Sequence, residues 1–126
     1  MNRKLNSIEM AFDTDLENKL LKAIIKLPEN LAKDFTEKRM FGGIAFLYKG
    51  KMTVGIVKED LMVRVISAKM KGVLASDQVR PMDFTNRPMK EFVFVSPAGF
   101  NTEKQLASWL QLGLEHALQA LDHLNK

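Results

Sequence analysis

The sequence contains no cysteine, which excludes disulfide bonds, thiolate nucleophiles and cysteine-ligated zinc or iron–sulfur sites. It also lacks any run of about 18 apolar residues, the length that a membrane-spanning helix needs. The basic N-terminus is not followed by the apolar stretch of a secretory signal. We therefore expect a cytoplasmic protein with no membrane partner.

A large excess of one charge is absent as well. The net charge is +4 over 126 residues, which gives weak attraction to phosphate groups rather than tight binding of nucleic acid. Hydrophobic residues make up 46% and charged residues 27%, as in a folded soluble protein of one domain. Residues 1–12 show no clear period and are predicted to be a flexible leader, so residues 13–126 are predicted to form the domain.

Recognisable catalytic motifs are missing too. No Ser or Thr lies in a nucleophile-elbow pattern, and Gly42-Gly43 lacks the spacing of a phosphate-binding loop. His116 and His123 are seven residues apart on one predicted helix, too far for the one-turn pairing of a helical metal site. We interpret both histidines as solvated. The sequence thus predicts a non-enzymatic protein with no catalytic residues, no cofactor and no metal.

Two helices are indicated by S/T-x-x-E/Q capping boxes followed by apolar residues at three- and four-residue spacing. The first box, Thr14–Glu17, predicts a helix from about Asp15 to Leu27 that ends at Pro28. The second, Thr102–Gln105, predicts a final helix from about Glu103 to Leu124.

The apolar arc of the final helix is wider than a one-sided surface helix requires, because Leu112 lies at its edge. Two interpretations remain open. Either the first helix or the leader covers this arc, or it forms a homodimer or partner surface.

Extended segments occupy the middle of the chain. Four of them are joined by short polar links, which favours an antiparallel meander: residues 37–41, 44–48, 52–57 and 61–66. A short helix capped by Ser67 follows, and then the strand Phe92–Val95, whose unbroken apolar run predicts the centre of the sheet with both phenylalanines buried. The resulting order, α-β-β-β-β-α-β-α, is a two-layer α+β fold.

Before the last strand, residues 80–90 contain two prolines, each of which holds the arginine before it extended. Asp83 lies three residues after Arg80 and four before Arg87, so either guanidinium could donate a hydrogen bond to it. We interpret this segment as a rigid, chiefly structural loop.

Basic side chains leave two binding alternatives open. Those that could form a binding loop, together with one carboxylate, are Arg39, Arg64, Arg80, Asp83, Arg87 and Lys90. The basic members of this set together with Lys38, with Phe41, Tyr48 and Phe84 interleaved as stacking platforms, would form a nucleic-acid surface. Alternatively, Arg39, Arg64, Asp83 and Arg87 would surround a small molecule or form an enzymatic site.

Three segments in order, KRMFGGIAF (38–46), LMVRV (61–65) and RPMDFTNRPMK (80–90), resemble the N-terminal domain of the TfoX (Sxy) family. The resemblance runs from about Asp13 to Leu121. It implies a small two-layer fold with helices on an antiparallel sheet, similar to that of type III secretion chaperones.

The same resemblance implies a regulatory role, because the family takes its name from regulators of natural competence that act with other transcription factors at promoters. Full-length members add a C-terminal domain suggestive of helix–hairpin–helix DNA binding, whereas this chain ends at Lys126. We therefore expect a stand-alone member that binds a protein partner, such as a transcription factor, with weak or no direct nucleic-acid binding. The family offers no catalytic residues to carry over.

Overall fold

The computed structural model of the protein describes residues 13–40, 42–84 and 87–124, and for residues 83, 84, 87–89 and 124 it describes the backbone alone. The predicted leader, residues 1–12, lies outside this range. The elements are, in chain order, α1 (Thr14–Ile25), α2 (Glu29–Ala32), β1 (Phe35–Met40), β2 (Gly43–Tyr48), β3 (Lys51–Val57), β4 (Asp60–Arg64), α3 (Ser67–Leu74), β5 (Val79–Phe84), β6 (Arg87–Val95), a 3-10 turn (Pro97–Gly99) and α4 (Glu103–Leu124).

The described strands form one antiparallel sheet of six, in the order β1-β2-β3-β4-β6-β5. This confirms the predicted α+β class with helices on an antiparallel sheet. The short links between β1 and β4 produce the predicted meander, since a tight turn can join only neighbouring antiparallel strands. Strands β1 and β5 are the two edges.

The interpretation of residues 80–90 as a loop is wrong, because most of them lie on β5 and at the start of β6. Asp83 is opposite Pro88 and Phe84 is opposite Arg87, so the two strands pair as a hairpin. Pro81 is tolerated because β5 is an edge strand. Strand β6 consequently has β5 on one side and β4 on the other. It is an interior strand, but it does not lie at the centre of the sheet, where it was predicted to be.

Helices α1 and α4 pack on one face of the sheet, here called the helix face. Leu16, Leu20 and Ile24 of α1 recur every four residues and are buried in the main core. From α4, Leu106 and Leu110 meet the same core, and Leu112, at the edge of the apolar arc, also packs against it. The main core therefore accounts for Leu112, and a homodimer is not needed to cover it.

Both capping boxes can be checked against hydrogen bonds. The backbone N–H groups of Thr102 and Gln105 each donate to the other residue's side-chain oxygen, at 3.1 Å, which confirms the second box. The first box is wrong by one residue, since the carboxylate of Asp13 accepts from the N–H groups of Asp15 and Leu16 at 2.9 and 3.2 Å. Helix α1 ends at Ile25, and Pro28 caps the one-turn α2.

The opposite side of the sheet, here called the second face, has an apolar cluster of its own. Ala45, Met62, Met82 and Phe92 are buried there, and every residue of the cluster lies on a strand. Phe94 is only half-buried, so the prediction that both phenylalanines are buried is confirmed for Phe92 alone.

Gly113 sets the distance between α4 and the sheet. A Cβ atom at this position would overlap the carbonyl oxygen of Thr53 on β3, so only glycine allows the two backbones to approach so closely. The Thr53 hydroxyl donates to the Phe46 carbonyl oxygen at 2.8 Å, beside a shift in the pairing of β2 with β3. Helix α4 therefore rests directly on a backbone bulge.

Candidate functional site

Two of the predicted binding arginines lie on the second face, each over a phenyl ring. Arg64 is directly opposite Phe92 in the sheet, and its guanidinium carbon is 4.6 Å from the ring centre. Arg80 is opposite Phe94 in the same way, at 5.0 Å. Directly opposite side chains share a face and touch, which explains both stacks.

Arg80 forms an ion pair with Asp60 on β4. Its Nη2 atom donates to Oδ2 of Asp60 at 2.6 Å, and Nη1 reaches the Ser96 hydroxyl at 3.4 Å. The side chains of Asp83 and Arg87 lie outside the described residues, so the proposed role of Asp83 stays a prediction. Arg64 keeps a buried Nε atom that has no hydrogen-bond partner within the described part of the chain.

Arg39 does not join these two arginines. Arg39 is opposite Ile44, whose side chain enters the helix-face core, so Arg39 and Arg64 lie on opposite faces and three strands apart. Lys90 is exposed on β6. Tyr48, a predicted stacking platform, is buried against Phe35 with ring centres 5.4 Å apart. Neither Phe41 nor the side chain of Phe84 is among the described residues.

A polar cluster that sequence reasoning missed joins β6 to two helices. The carboxylate of Glu91 accepts a hydrogen bond from Nε2 of His116 at 2.9 Å, and another from the Ser67 hydroxyl at 2.6 Å. These two bonds, in that order of importance, hold the pKa of Glu91 below its ordinary value. We call Ser67, Glu91 and His116 the Glu91 clamp.

The clamp corrects two predictions. His116 is not a solvated helix residue, because its side chain is only 12% exposed; His123 is exposed as predicted. Ser67 does not cap α3 through its side chain, since the N-cap is Ile66 and the hydroxyl bonds to Glu91 instead.

The hydrogen bonds of the clamp connect α3 and α4 to β6. In a serine hydrolase the histidine stands between hydroxyl and carboxylate, so that it can take the serine proton. Here the carboxylate stands in the middle, with the hydroxyl on one oxygen and the imidazole on the other. Ser67 is not bonded to the imidazole, so the clamp lacks the hydroxyl-to-histidine contact of that triad.

An open groove of about 640 Å³ separates α1 from the start of α4. We call it the α1–α4 groove. Its apolar lining is Ala23, Leu27, Phe100, Leu106, Ala107 and Leu110. Its charged lining is Lys19, Lys22, Lys26, Glu103 and Lys104.

The lysines of the groove are weakly engaged. Lys19 pairs with Asp15 at 3.4 Å and Lys26 with Glu103 at 3.5 Å, and all four side chains are mostly exposed, so each pair contributes little. Lys22 and Lys104 form no ion pair with any described residue. The lining of the groove therefore carries a net positive charge, which lies mainly on the α1 wall because Glu103 offsets Lys104 on α4.

Metal-binding clusters and membrane-spanning helices are both absent from the described ranges. No three His, Asp or Glu side chains there are grouped so that they could hold a metal ion. No helix there is both long and apolar enough to cross a bilayer.

The family comparison is decisive for identity. A family model described as the TfoX N-terminal domain matches residues 29–117, which is most of the chain. The protein belongs to the TfoX N-terminal domain family. No curated protein and no solved structure gives a significant match to the chain.

Membership supports a regulatory, competence-related domain. The part of this TfoX N-terminal domain that matches contains the whole described sheet and all three residues of the Glu91 clamp. Helix α1, which supplies one wall of the α1–α4 groove, precedes the matched range.

Both missed features join parts of the chain that are far apart in sequence. Ser67 and His116 lie 24 and 25 residues from Glu91. The Lys26–Glu103 ion pair on the rim of the groove joins residues 77 apart. One signal was available: Lys19, Lys22 and Lys26 recur at helical spacing on α1 and mark a basic stripe beside its apolar face.

Proposed function

We propose that this TfoX N-terminal domain is a non-enzymatic regulatory module that acts in transcriptional regulation by binding a protein partner. The observation that carries the proposal is the α1–α4 groove, which combines an apolar lining with charged residues along its rim. Protein interfaces commonly have this composition, with an apolar centre and a polar edge.

The Glu91 clamp supports the non-enzymatic part of the proposal. Its carboxylate is committed to two hydrogen bonds that tie elements together, and its hydroxyl is not bonded to the imidazole. A catalytic cluster would instead leave a group poised towards a cleft.

Direct binding of nucleic acid is the weaker alternative. Arg64 and Arg80 are stacked on phenyl rings, and Arg80 is also paired with Asp60. Tyr48 is buried and cannot stack on a base. A nucleic-acid surface needs cations and aromatic faces that are free to meet the ligand.

The test is made in the native host. Deleting the gene is expected to change a defined set of transcripts, and in-cell crosslinking followed by affinity capture is expected to enrich a transcription factor that controls the same set. Unchanged transcripts together with no captured regulator would refute the proposal. So would a nanomolar, sequence-selective complex of the purified protein with duplex DNA at about 150 mM salt.

A further inference from the structure

The walls of the α1–α4 groove are two helices that each face it over about two turns. On α1 the lining positions run from Lys19 to Lys26, and on α4 from Glu103 to Gln111. At 1.5 Å per residue these walls are about 10 and 12 Å long. A helix lying between them would place side chains at i, i+3 or i+4, and i+7 along the same length.

The lining is apolar at its base and basic along its rim. Leu106 and Leu110 on α4 are buried in the core beneath the groove. Its accessible apolar surface comes from Leu27 and Phe100, which are half-buried, and from the exposed Ala107. Four of the five charged lining residues are lysines. The complementary ligand has an apolar stripe with carboxylates on both sides of it.

We infer that the α1–α4 groove binds an acidic amphipathic helix of a partner protein. This inference rests on the proposed function, since it names the kind of partner and the surface that receives it. The lysines guide the helix into register along the walls, and Leu27, Phe100 and Ala107 cover its apolar stripe.

Other polyanions fit the groove less well. A nucleic-acid backbone would meet the lysines but would leave the exposed parts of Leu27 and Phe100 uncovered. A bilayer surface is too flat to reach the base of a concave groove. Only a ligand with both a narrow apolar edge and flanking negative charge satisfies the whole lining.

The test uses the full chain and a fluorescent model peptide of about 15 residues, roughly four helical turns, with leucines at helical spacing and flanking glutamates. Binding is measured by fluorescence anisotropy at low and physiological salt. We expect a micromolar complex that weakens as salt rises. A peptide with lysines in place of the glutamates, and one with serines in place of the leucines, should both fail to bind.

Charge reversal tests the site. The double variant Lys22→Glu/Lys104→Glu is expected to lower affinity for the acidic peptide about tenfold or more. Both lysines are exposed and make no ion pair with a described residue, so the variant should fold, as circular dichroism and thermal melting can check. Lys38→Glu, on the exposed edge strand β1, is the single-charge control and should change affinity less than twofold.

An uncharged block separates shape from charge. Ala107→Gln narrows the groove without altering the net charge and should weaken peptide binding, whereas Ala68→Gln on α3 should not. Equal binding by all variants would overturn the inference. Tighter binding of single-stranded DNA or of phosphatidylglycerol vesicles than of the peptide, lost in the double lysine variant, would overturn it too.

A photo-crosslinking amino acid in the native host separates this inference from the proposed function. Placed at Ala107, it should crosslink to an acidic helical segment of the regulator; placed at Lys38, it should not. Crosslinking to the regulator from Lys38 but not from Ala107 would refute the groove as the docking site while leaving the proposed function standing.

Discussion

The two faces of the sheet differ in the types of side chain that cover them. On the helix face, branched aliphatic side chains and Phe46 meet the apolar stripes of α1 and α4. On the second face, four of the eight methionines gather around Phe92 and Phe94, and two arginines lie over those rings. The helix face is covered by α1 and α4, whereas the apolar residues of the second face are covered by methionine side chains and arginine guanidinium groups.

Each solution has a physical reason. Helices with period 3.6 bury a straight apolar stripe against alternating strand residues, so branched aliphatic side chains fill the space well. Methionine has an unbranched, polarisable side chain that fills irregular gaps, and a guanidinium plane covers an aromatic face while keeping contact with water. The comparison predicts that the helix face carries more of the stability.

The largest expected effect is the loss of Phe46 on the helix face. Phe46 is fully buried, so Phe46→Ala should lower the free energy of unfolding by about 3–5 kcal/mol, measured by chemical denaturation. Phe94→Ala on the second face removes the same atoms from a half-buried site and should cost clearly less. Equal losses would show that the two faces contribute alike.

The next effect concerns the contact between α4 and β3. Gly113→Ala forces a methyl group into the Thr53 carbonyl and should destabilise by about 1–3 kcal/mol, although alanine is the better helix former. Gly72→Ala is the matched control, because nothing lies within 4 Å of a Cβ atom there. It should stabilise α3 by up to about 1 kcal/mol. A neutral Gly113→Ala would mean that the helix can shift away.

A smaller effect is expected from the cation–π interaction between Arg64 and Phe92 on the second face. A double-mutant cycle with Arg64→Met and Phe92→Leu isolates the pair from other consequences of each change. Its coupling energy should be about 0.5–2 kcal/mol, obtained from the midpoints of urea denaturation. A coupling energy of zero would mean that the contact between Arg64 and Phe92 does not contribute to stability.

The smallest effect lies in the Glu91 clamp, which ties β6 to the helix layer. Hydrogen bonds from His116 and Ser67 lower the pKa of Glu91 in the folded protein below its ordinary value of 4.5. Stability from this group is therefore complete above that ordinary value and is lost as the pH falls through the folded pKa.

Glu91→Gln should accordingly cost roughly 0.5–1 kcal/mol at neutral pH, and less in acid. Thermal melting between about pH 3 and 7 would reveal it as a flatter profile than that of the unchanged protein. Glu59→Gln, at an exposed position in the turn between β3 and β4, serves as the comparison carboxylate. Parallel profiles for Glu91→Gln and the unchanged protein would contradict the assignment.

Local signals account for the parts of the fold that sequence reasoning found. The bounds of α4 coincide with those expected, because the Thr102–Gln105 box and an unbroken apolar stripe both act within one helix. The meander from β1 to β4 follows from short links. Strand β5 was missed because Pro81 indicates a loop unless the strand is known to lie at an edge, and sheet order is not a local property.

The candidate sites were harder to predict, since they depend on pairing between distant segments. Arg64 reaches Phe92 only through the register of β4 with β6, and Arg80 reaches Asp60 across β6. The ion pair of Arg80 with Asp60 could not be predicted while the position of Asp60, 20 residues away, was unknown.

The edges of the sheet have a consequence for how the protein behaves at high concentration. Strand β1 presents exposed charged side chains from Glu37 to Arg39, and β5 carries Pro81 in its middle. Charged side chains and proline both discourage a foreign strand from adding to an open edge. Growth of the sheet into fibrils, and recognition of partners by strand addition, are therefore opposed at both ends, and the chain is suited to remain dispersed while its helices stay available for contact.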